Sequence, residues 1–254
     1  MHGNDGDILF YRQLASRLGD GRAVYGLQSP LLGALHAGRT LEQLAKLYAE
    51  EIRAVEPHGP YCLVGFCLGA YLAFEVACQL QNENESVGLL AVIDTPGDWK
   101  LVGSWSDGVR YHLSHMARLS GAARPRYVLD RAKFRAARIA DWAAETVARV
   151  CAAANRRTPD WAVRRTARAA HLRASEGYTP GVFHGNLVFF RSSEEPWRDY
   201  RSFWSRAVKG EITCIDIPGR GISTLREPHV RVLAEKLRGC LDEVRSKPPS
   251  PEVI

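Results

Sequence analysis

The chain has 254 residues, 46% of them hydrophobic and 24% charged, which is the make-up of a globular protein large enough to bury a sizeable core. The net charge of +6 raises nucleic-acid binding. However, the basic residues gather in an Arg-rich middle from Arg110 to Arg173, without zinc-finger spacing, an aromatic RNA-binding signature or a recognition helix, so an acidic protein partner suits them equally. No apolar run approaches membrane-spanning length, no signal peptide is recognisable, and the six cysteines form no CxxC pair, so the expectation is a cytoplasmic protein with reduced thiols, no metal site and neither membrane nor nucleic acid as partner.

The chain opens with a turn-rich stretch, Met1 to Asp7, followed by an amphipathic helix predicted over Ile8 to Leu18 through Leu9, Phe10, Leu14 and Leu18. Arg22 to Leu27 reads as a strand. Thr40 with Gln43 three residues later forms a capping-box signature for a helix running to about Val55, which Pro57-His58-Gly59-Pro60 ends. Tyr61 to Val64 is a short apolar run of strand length, Tyr71 to Leu80 has helical spacing, and Gly88 to Ile93 is a second apolar run ending in Asp94-Thr95-Pro96-Gly97. This alternation predicts an α/β protein with a mostly parallel sheet. From 98 to 173 the pattern changes to Ala- and Arg-rich helices with no strand between them, read as a helical lid insertion, on which His112, His115 and His171 read as ordinary surface histidines. Strands resume at Asn186 to Phe190 and Glu211 to Ile217. Pro218-Gly219-Arg220-Gly221 is a loop, and Pro228 to about Val244 a closing helix. The expected organisation is a core of 1–97 and 174–245, a lid of 98–173 and a disordered Pro-rich tail of 246–254.

The chemistry centres on Gly65-Phe66-Cys67-Leu68-Gly69. By itself it is either a core cysteine between two glycines or a nucleophile elbow of Gly-x-Ser-x-Gly type with Cys in place of Ser. The strand before it and the helix after it favour the elbow. At a helix N-terminus the orphan amides and the helix dipole favour a thiolate, which can attack an acyl carbonyl and form an acyl-enzyme. The turn places the Leu68 amide to donate to the resulting oxyanion, and the Gly-rich turn at Gly3 to Gly6 offers the Asn4 amide as second donor. Asp94 closes its strand at the same sheet edge as the elbow, where an aspartate can orient a histidine; the alternative is a turn or N-cap aspartate.

These stretches resemble the thioesterase family that terminates nonribosomal peptide and polyketide assembly lines. The resemblance runs through His2-Gly3 with Leu9-Phe10-Tyr11, Tyr25-Gly26-Leu27-Gln28, Ala49 to Arg53, Pro57 to Tyr61 leading into the elbow, Ile93-Asp94-Thr95, Gly185 to Arg191 and Glu227-Pro228-His229-Val230. It implies an α/β-hydrolase fold with Cys67 as nucleophile, Asp94 as triad acid, and Asn4 and Leu68 as oxyanion donors. It implies no bound cofactor, the acyl or peptidyl substrate being presented on the phosphopantetheine arm of a carrier-protein partner.

Two departures qualify it. The family pattern puts a catalytic histidine at Pro-Gly-x-His, where this chain has Pro218-Gly219-Arg220-Gly221; His229 nearby reads as structural. The family also has an apolar strand before His2-Gly3, leaving an upstream start, a segment of another chain or an incomplete sheet to account for it. The leading expectation is that Cys67 takes the acyl or peptidyl chain from the carrier and releases it by hydrolysis, cyclisation or aminolysis. Without its imidazole, a Cys–Asp site is expected to load by thiol exchange, with Arg220 as a stabiliser of the thiolate if its side chain turns inward, and to release to an amine or a second thiol more readily than to water. The other expectations are a carrier-to-carrier acyl shuttle and a degenerate or inactivated module that binds carrier protein or cargo without turnover.

Overall fold

The computed structural model describes residues 1–19, 21–30, 39–95, 123–175, 177–194 and 201–246. The readings of His112, His115 and the tail beyond 246 lie outside the described residues.

In chain order the elements are α1 (Arg12–Leu18), α2 (Leu41–Val55), β1 (Tyr61–Phe66), α3 (Leu68–Asn82), β2 (Val87–Ile93), α4 (Ala123–Ala153), α5 (Asp160–Ser175), β3 (Leu187–Ser192), α6 (Arg201–Ala207), β4 (Ile212–Ile217) and α7 (Val230–Ser246), with single 3-10 turns at Leu9–Tyr11 and Gly221–Leu225. The four strands lie side by side in sequence order, all parallel. Parallel strands need long crossovers; α2, α3 and α6 cover one face of the sheet, and α1 and α7 cover the other. Residues along β2 alternate accordingly. Leu90 and Val92 join Tyr48, Tyr71, Phe74 and Trp204 beneath α2, α3 and α6, whereas Leu89, Ala91 and Ile93 join Leu14, Leu225, Leu233 and Leu237 beneath α1 and α7.

Helix α2 starts where its capping box says it should: the Gln43 backbone N–H donates to Thr40 Oγ1 at 3.3 Å, and Gln43 Oε1 accepts from the Thr40 backbone N–H at 3.1 Å. Helix α3 is buried along almost its whole length because it lies between the sheet and α2. Its one buried carboxylate, Glu75, is satisfied by the Tyr178 hydroxyl at 2.9 Å and the Gln79 amide at 2.9 Å. Burial raises the Glu75 pKa despite those two donors. Arg22 to Leu27 forms no strand; Val24 and Tyr25 are exposed, and the stretch has no ladder partner among the described residues. Helix α6, seven residues long, was not legible from hydrophobic period.

Among the described residues of the insertion, 123–153 and 160–175 are helical. Helices α4 and α5 pack on each other, and the buried Asp141 of α4 receives Arg165 (3.0 Å) and Arg168 (3.9 Å) from α5. Part of the basic charge of the middle is thus neutralised within the protein.

Candidate active site

Phe66 is level with Ile93 in the β1–β2 register, so Cys67 and Asp94 follow side by side just past the carboxyl ends of their strands. Ligands of open α/β sheets are held at this edge. Cys67 has φ 55° and ψ −125°, a conformation that costs a non-glycine residue about 1–3 kcal/mol. The surroundings impose it. A Cβ on Gly65 would lie 2.1 Å from the Gly69 carbonyl oxygen, and one on Gly69 would lie 2.7 Å from the carbonyl oxygens of Met1 and His2. The two glycines therefore let strand, helix and N-terminal segment approach as closely as the sharp turn requires.

The Cys67 backbone N–H donates to Thr95 Oγ1 at 2.9 Å, and the Thr95 hydroxyl donates to the Ile93 carbonyl at 2.8 Å. Thr95 is buried and ties the elbow to the acid loop. It was missed as a functional residue in the sequence; its only signal was its place directly after Asp94.

The Leu68 backbone N–H and the Asn4 side chain lie near enough to the Cys67 sulfur to favour its thiolate. Burial nevertheless pushes the Cys67 thiol up, these two donors pull it down, and the carboxylates of Asp5 and Asp94 push it up further. The net direction is upward, opposite to that expected from the helix terminus alone. Arg220 is exposed and is not among the groups that shift the thiol.

Asn4 sits in a closed turn: Gly6 N–H donates to Gly3 O (3.0 Å) and Gly3 N–H to Asp7 O (3.1 Å). Two histidines lie behind it. Both are buried, with ring centroids 4.6 Å apart. His2 Nδ1 meets Gly3 O at 2.7 Å and its Nε2 meets the Tyr48 hydroxyl at 2.6 Å; burial, then the neighbouring His171, lowers the His2 pKa to about 3. His171 is therefore not a surface histidine. It has no exposed surface because α5 is laid against the N-terminal loop, a contact between residues 167 positions apart.

On the other side, Asp94 is buried, with φ 40°. Its backbone N–H donates to Phe190 O at 2.8 Å, and its Oδ2 accepts the Gly221 backbone N–H at 2.6 Å. The loop carrying Gly221 is anchored by the Ser192 hydroxyl, which donates to Gly219 O at 2.6 Å. Gly221 has φ 54°, and a Cβ built there meets nothing within 4 Å. His229 packs against Gly219. The structure thus brings Cys67, Leu68, Asn4, Asp94 and Gly221 together and leaves Arg220 at the surface. Among the described residues no cluster of His, Cys, Asp and Glu could hold a metal ion, and no helix is long and apolar enough to cross a membrane.

A parallel sheet covered on both faces by helices, a strained residue on a strand-to-helix elbow and an aspartate one strand over define an α/β-hydrolase fold. Residues 1–238 match the thioesterase domain family, to which the chain belongs. It is 28% identical to chondramide synthase cmdD of Chondromyces crocatus over an alignment of 264 residues, covering 92% of this chain and 6% of the relative. It is 36% identical to polyketide synthase PksR of Bacillus subtilis over 104 residues, 38% of this chain and 4% of that one, and 39% identical to microperfuranone synthase of Emericella nidulans over 97 residues, 38% and 10%. The chain spans a tenth or less of the length of these relatives. In fold it is similar to the NocB thioesterase domain (TM-score 0.65, 22% identity, 94% of this chain and 91% of that one) and to the Vlm2 thioesterase domain (TM-score 0.63, 23% identity, 98% and 93%).

Proposed function

We propose that the protein transfers acyl or peptidyl chains from the phosphopantetheine arm of a carrier protein onto Cys67 and releases them in natural-product biosynthesis. Membership of the thioesterase family and the likeness to segments of synthases support the class of reaction. The observation that carries the finer reading is the site itself: a cysteine on a strained elbow with the Leu68 amide and Asn4 at its sulfur, and a backbone N–H, not an imidazole, offered to Asp94 by residue 221.

In loading, the Cys67 sulfur attacks the thioester carbonyl, the Leu68 and Asn4 amides take up the oxyanion, the carbon–sulfur bond to pantetheine breaks, and the Cys67 proton leaves with the pantetheine thiol. Serine would need a base for this step, whereas a thiol exchanges with a thioester of nearly equal energy. In release, an amine or a second thiol attacks the acyl-cysteine. The carbon–sulfur bond at Cys67 breaks, and the acceptor's proton returns to the Cys67 sulfur, so no imidazole is required. Water, far less acidic than a thiol and less nucleophilic than an amine, needs a base that this site does not offer at residue 221. Arg220 would assist loading only by turning inward from its exposed position.

The test is intact-protein mass after mixing with an acyl-pantetheine thioester, with Cys67→Ala as control. The expected result is a stable single acyl adduct on the native chain, none on the variant, and discharge by added amines or a holo-carrier protein faster than by water. Rapid hydrolysis would overturn the choice of acceptor. Absence of any adduct would overturn acyl transfer itself, in favour of a module that binds carrier or cargo.

A further inference from the structure

Helix α5 belongs to the helical insertion, yet one of its faces is fastened to the loop beside Cys67. Arg164 and His171 are seven residues apart, two turns, and so share that face. Arg164 Nη1 donates to Asp7 Oδ2 at 3.2 Å. His171 Nδ1 lies 2.9 Å from the Asn4 carbonyl oxygen, and its Nε2 lies 2.7 Å from Ser29 Oγ. A carbonyl only accepts, so Nδ1 carries the proton; in the neutral ring Nε2 then accepts from the Ser29 hydroxyl. Ser29 is itself tied to the loop, its backbone N–H donating to Gly6 O at 3.1 Å.

The neighbouring carbonyl, Gly3 O, is held by His2. Two consecutive carbonyls are therefore gripped by two neighbouring imidazoles, tilted 36° to one another, one from the start of the chain and one from the insertion. In a trans peptide the N–H points away from the carbonyl. His2 thus fixes the peptide plane that aims the Asn4 N–H, and His171 fixes the next plane. Only the Asn4 Cα lies between the two, and its side chain is among the groups that favour the Cys67 thiolate.

We propose that His171 is a positioning residue: acting from the helical insertion, it sets the Asn4 backbone beside Cys67, so that the insertion and the oxyanion side of the site are mechanically one unit. The catalytic consequence rests on the acyl-transfer reading, in which the Asn4 amide receives the oxyanion; the positioning itself does not. A histidine of packing value alone could be replaced by another flat ring, but one that holds a carbonyl could not.

The test uses the full chain with His171→Phe, which keeps a ring and removes both polar atoms, and His171→Asn, which keeps a donor near the Nδ1 position. Two rates are read at Cys67 by peptide mapping: acylation by an acyl-pantetheine thioester, and alkylation by iodoacetamide, which displaces iodide without forming an oxyanion. Loss of an entire oxyanion donor costs about 10²–10³ in rate, so misaiming one is expected to lower acylation by roughly 10–100-fold in His171→Phe. Alkylation should stay within about twofold, and His171→Asn should recover most of the acylation rate, since only the carbonyl donor matters. Both rates falling together, or neither falling, overturns the proposal. Should His171→Phe not fold, as judged by circular dichroism, His171→Gln takes its place, because its amide reaches towards Ser29 instead of Asn4.

Backbone hydrogen exchange supplies a readout that needs no turnover. Residues 3–7 should exchange faster in His171→Phe than in the native chain while β1 and α3 are unchanged; unaltered exchange at 3–7 overturns the proposal. A native chain that is never acylated, yet loses protection at 3–7 in the variant, would retire the acyl-transfer reading and leave the positioning role standing.

Discussion

The two sides of the site are built to different standards. On the Cys67 side the backbone frame is tied down: the elbow amide on Thr95, and the Asn4 loop on His2 and His171. On the Asp94 side the carboxylate is buried and firmly placed, but residue 221 offers it a backbone N–H and carries no side chain, with open space where one would start. Thioester chemistry divides along the same line. Stabilising the oxyanion needs fixed donors, whereas moving a proton needs a titrating base. In the proposed reading Leu68 and Asn4 are the fixed donors, and residue 221 offers no such base.

The largest effect is expected from supplying the base. In Gly221→His the side chain would enter open space beside Asp94, and histidine is among the residues that tolerate the left-handed φ of this position, at a cost of about 1–2 kcal/mol. General-base catalysis is worth about 10²–10⁴, so hydrolysis of the acyl-Cys67 adduct should accelerate by about that factor while loading changes less. The measurement is the lifetime of the adduct by intact mass. An unchanged lifetime would show that the space over Gly221 does not complement Asp94, and that the acceptor's own chemistry controls release.

The next effect concerns the thiol. Because burial holds the Cys67 pKa above its usual value, the thiolate is the minor form at neutral pH. Its fraction, and with it both alkylation and loading, should rise about tenfold per pH unit from 7 to 9 without levelling off. Iodoacetamide kinetics at Cys67 across that range check this. A plateau below pH 9 would mean that a positive charge such as Arg220 turns inward in solution and outweighs the burial.

Smaller again is the acid response of the oxyanion side. His2 titrates near 3 in the folded protein against about 6.5 unfolded, so the unfolded chain binds the extra proton first. The contribution of a neutral His2 is full above 6.5 and is lost as pH falls towards 3, by about 1.4 kcal/mol per unit from this group. Urea unfolding at pH 7, 6 and 5 should show this slope, and His2→Asn, which does not titrate, should flatten it. An equal slope in the variant would place the acid sensitivity elsewhere.

The same division separates what was legible in the sequence from what was not. The elbow could be read because its glycines, its apolar strand and its helical period are all local, and α2 because Thr40 and Gln43 satisfy each other within one turn. Asp94 was legible as the end of an apolar run. The grip on the Asn4 loop was not, because a single helix gives no sign of which of its faces meets a segment 167 residues earlier; His171 looks like any polar residue among arginines. Arg22 to Leu27 has apolar residues of strand type, but a strand is made by its neighbour, and none is there among the described residues. The direction of the Cys67 pKa was misjudged for a related reason. A helix terminus is visible in sequence, but the burial that outweighs it belongs to the assembled fold.

Thr95 gives the smallest effect and tests where the boundary between the two sides runs. Its hydroxyl accepts from the Cys67 N–H and donates to Ile93 O, so it joins the elbow to the acid loop without touching the sulfur. Thr95→Val keeps the shape and leaves a buried N–H without its acceptor, which costs about 1–3 kcal/mol and lowers the melting temperature by several degrees in a domain of this size. If Thr95 only braces the frame, the ratio of acylation to alkylation at Cys67 should stay within about twofold of native, unlike that of His171→Phe. A ratio that falls as far as it does for His171→Phe would instead extend the oxyanion side across the elbow to the acid loop, and the two sides could no longer be treated as separable.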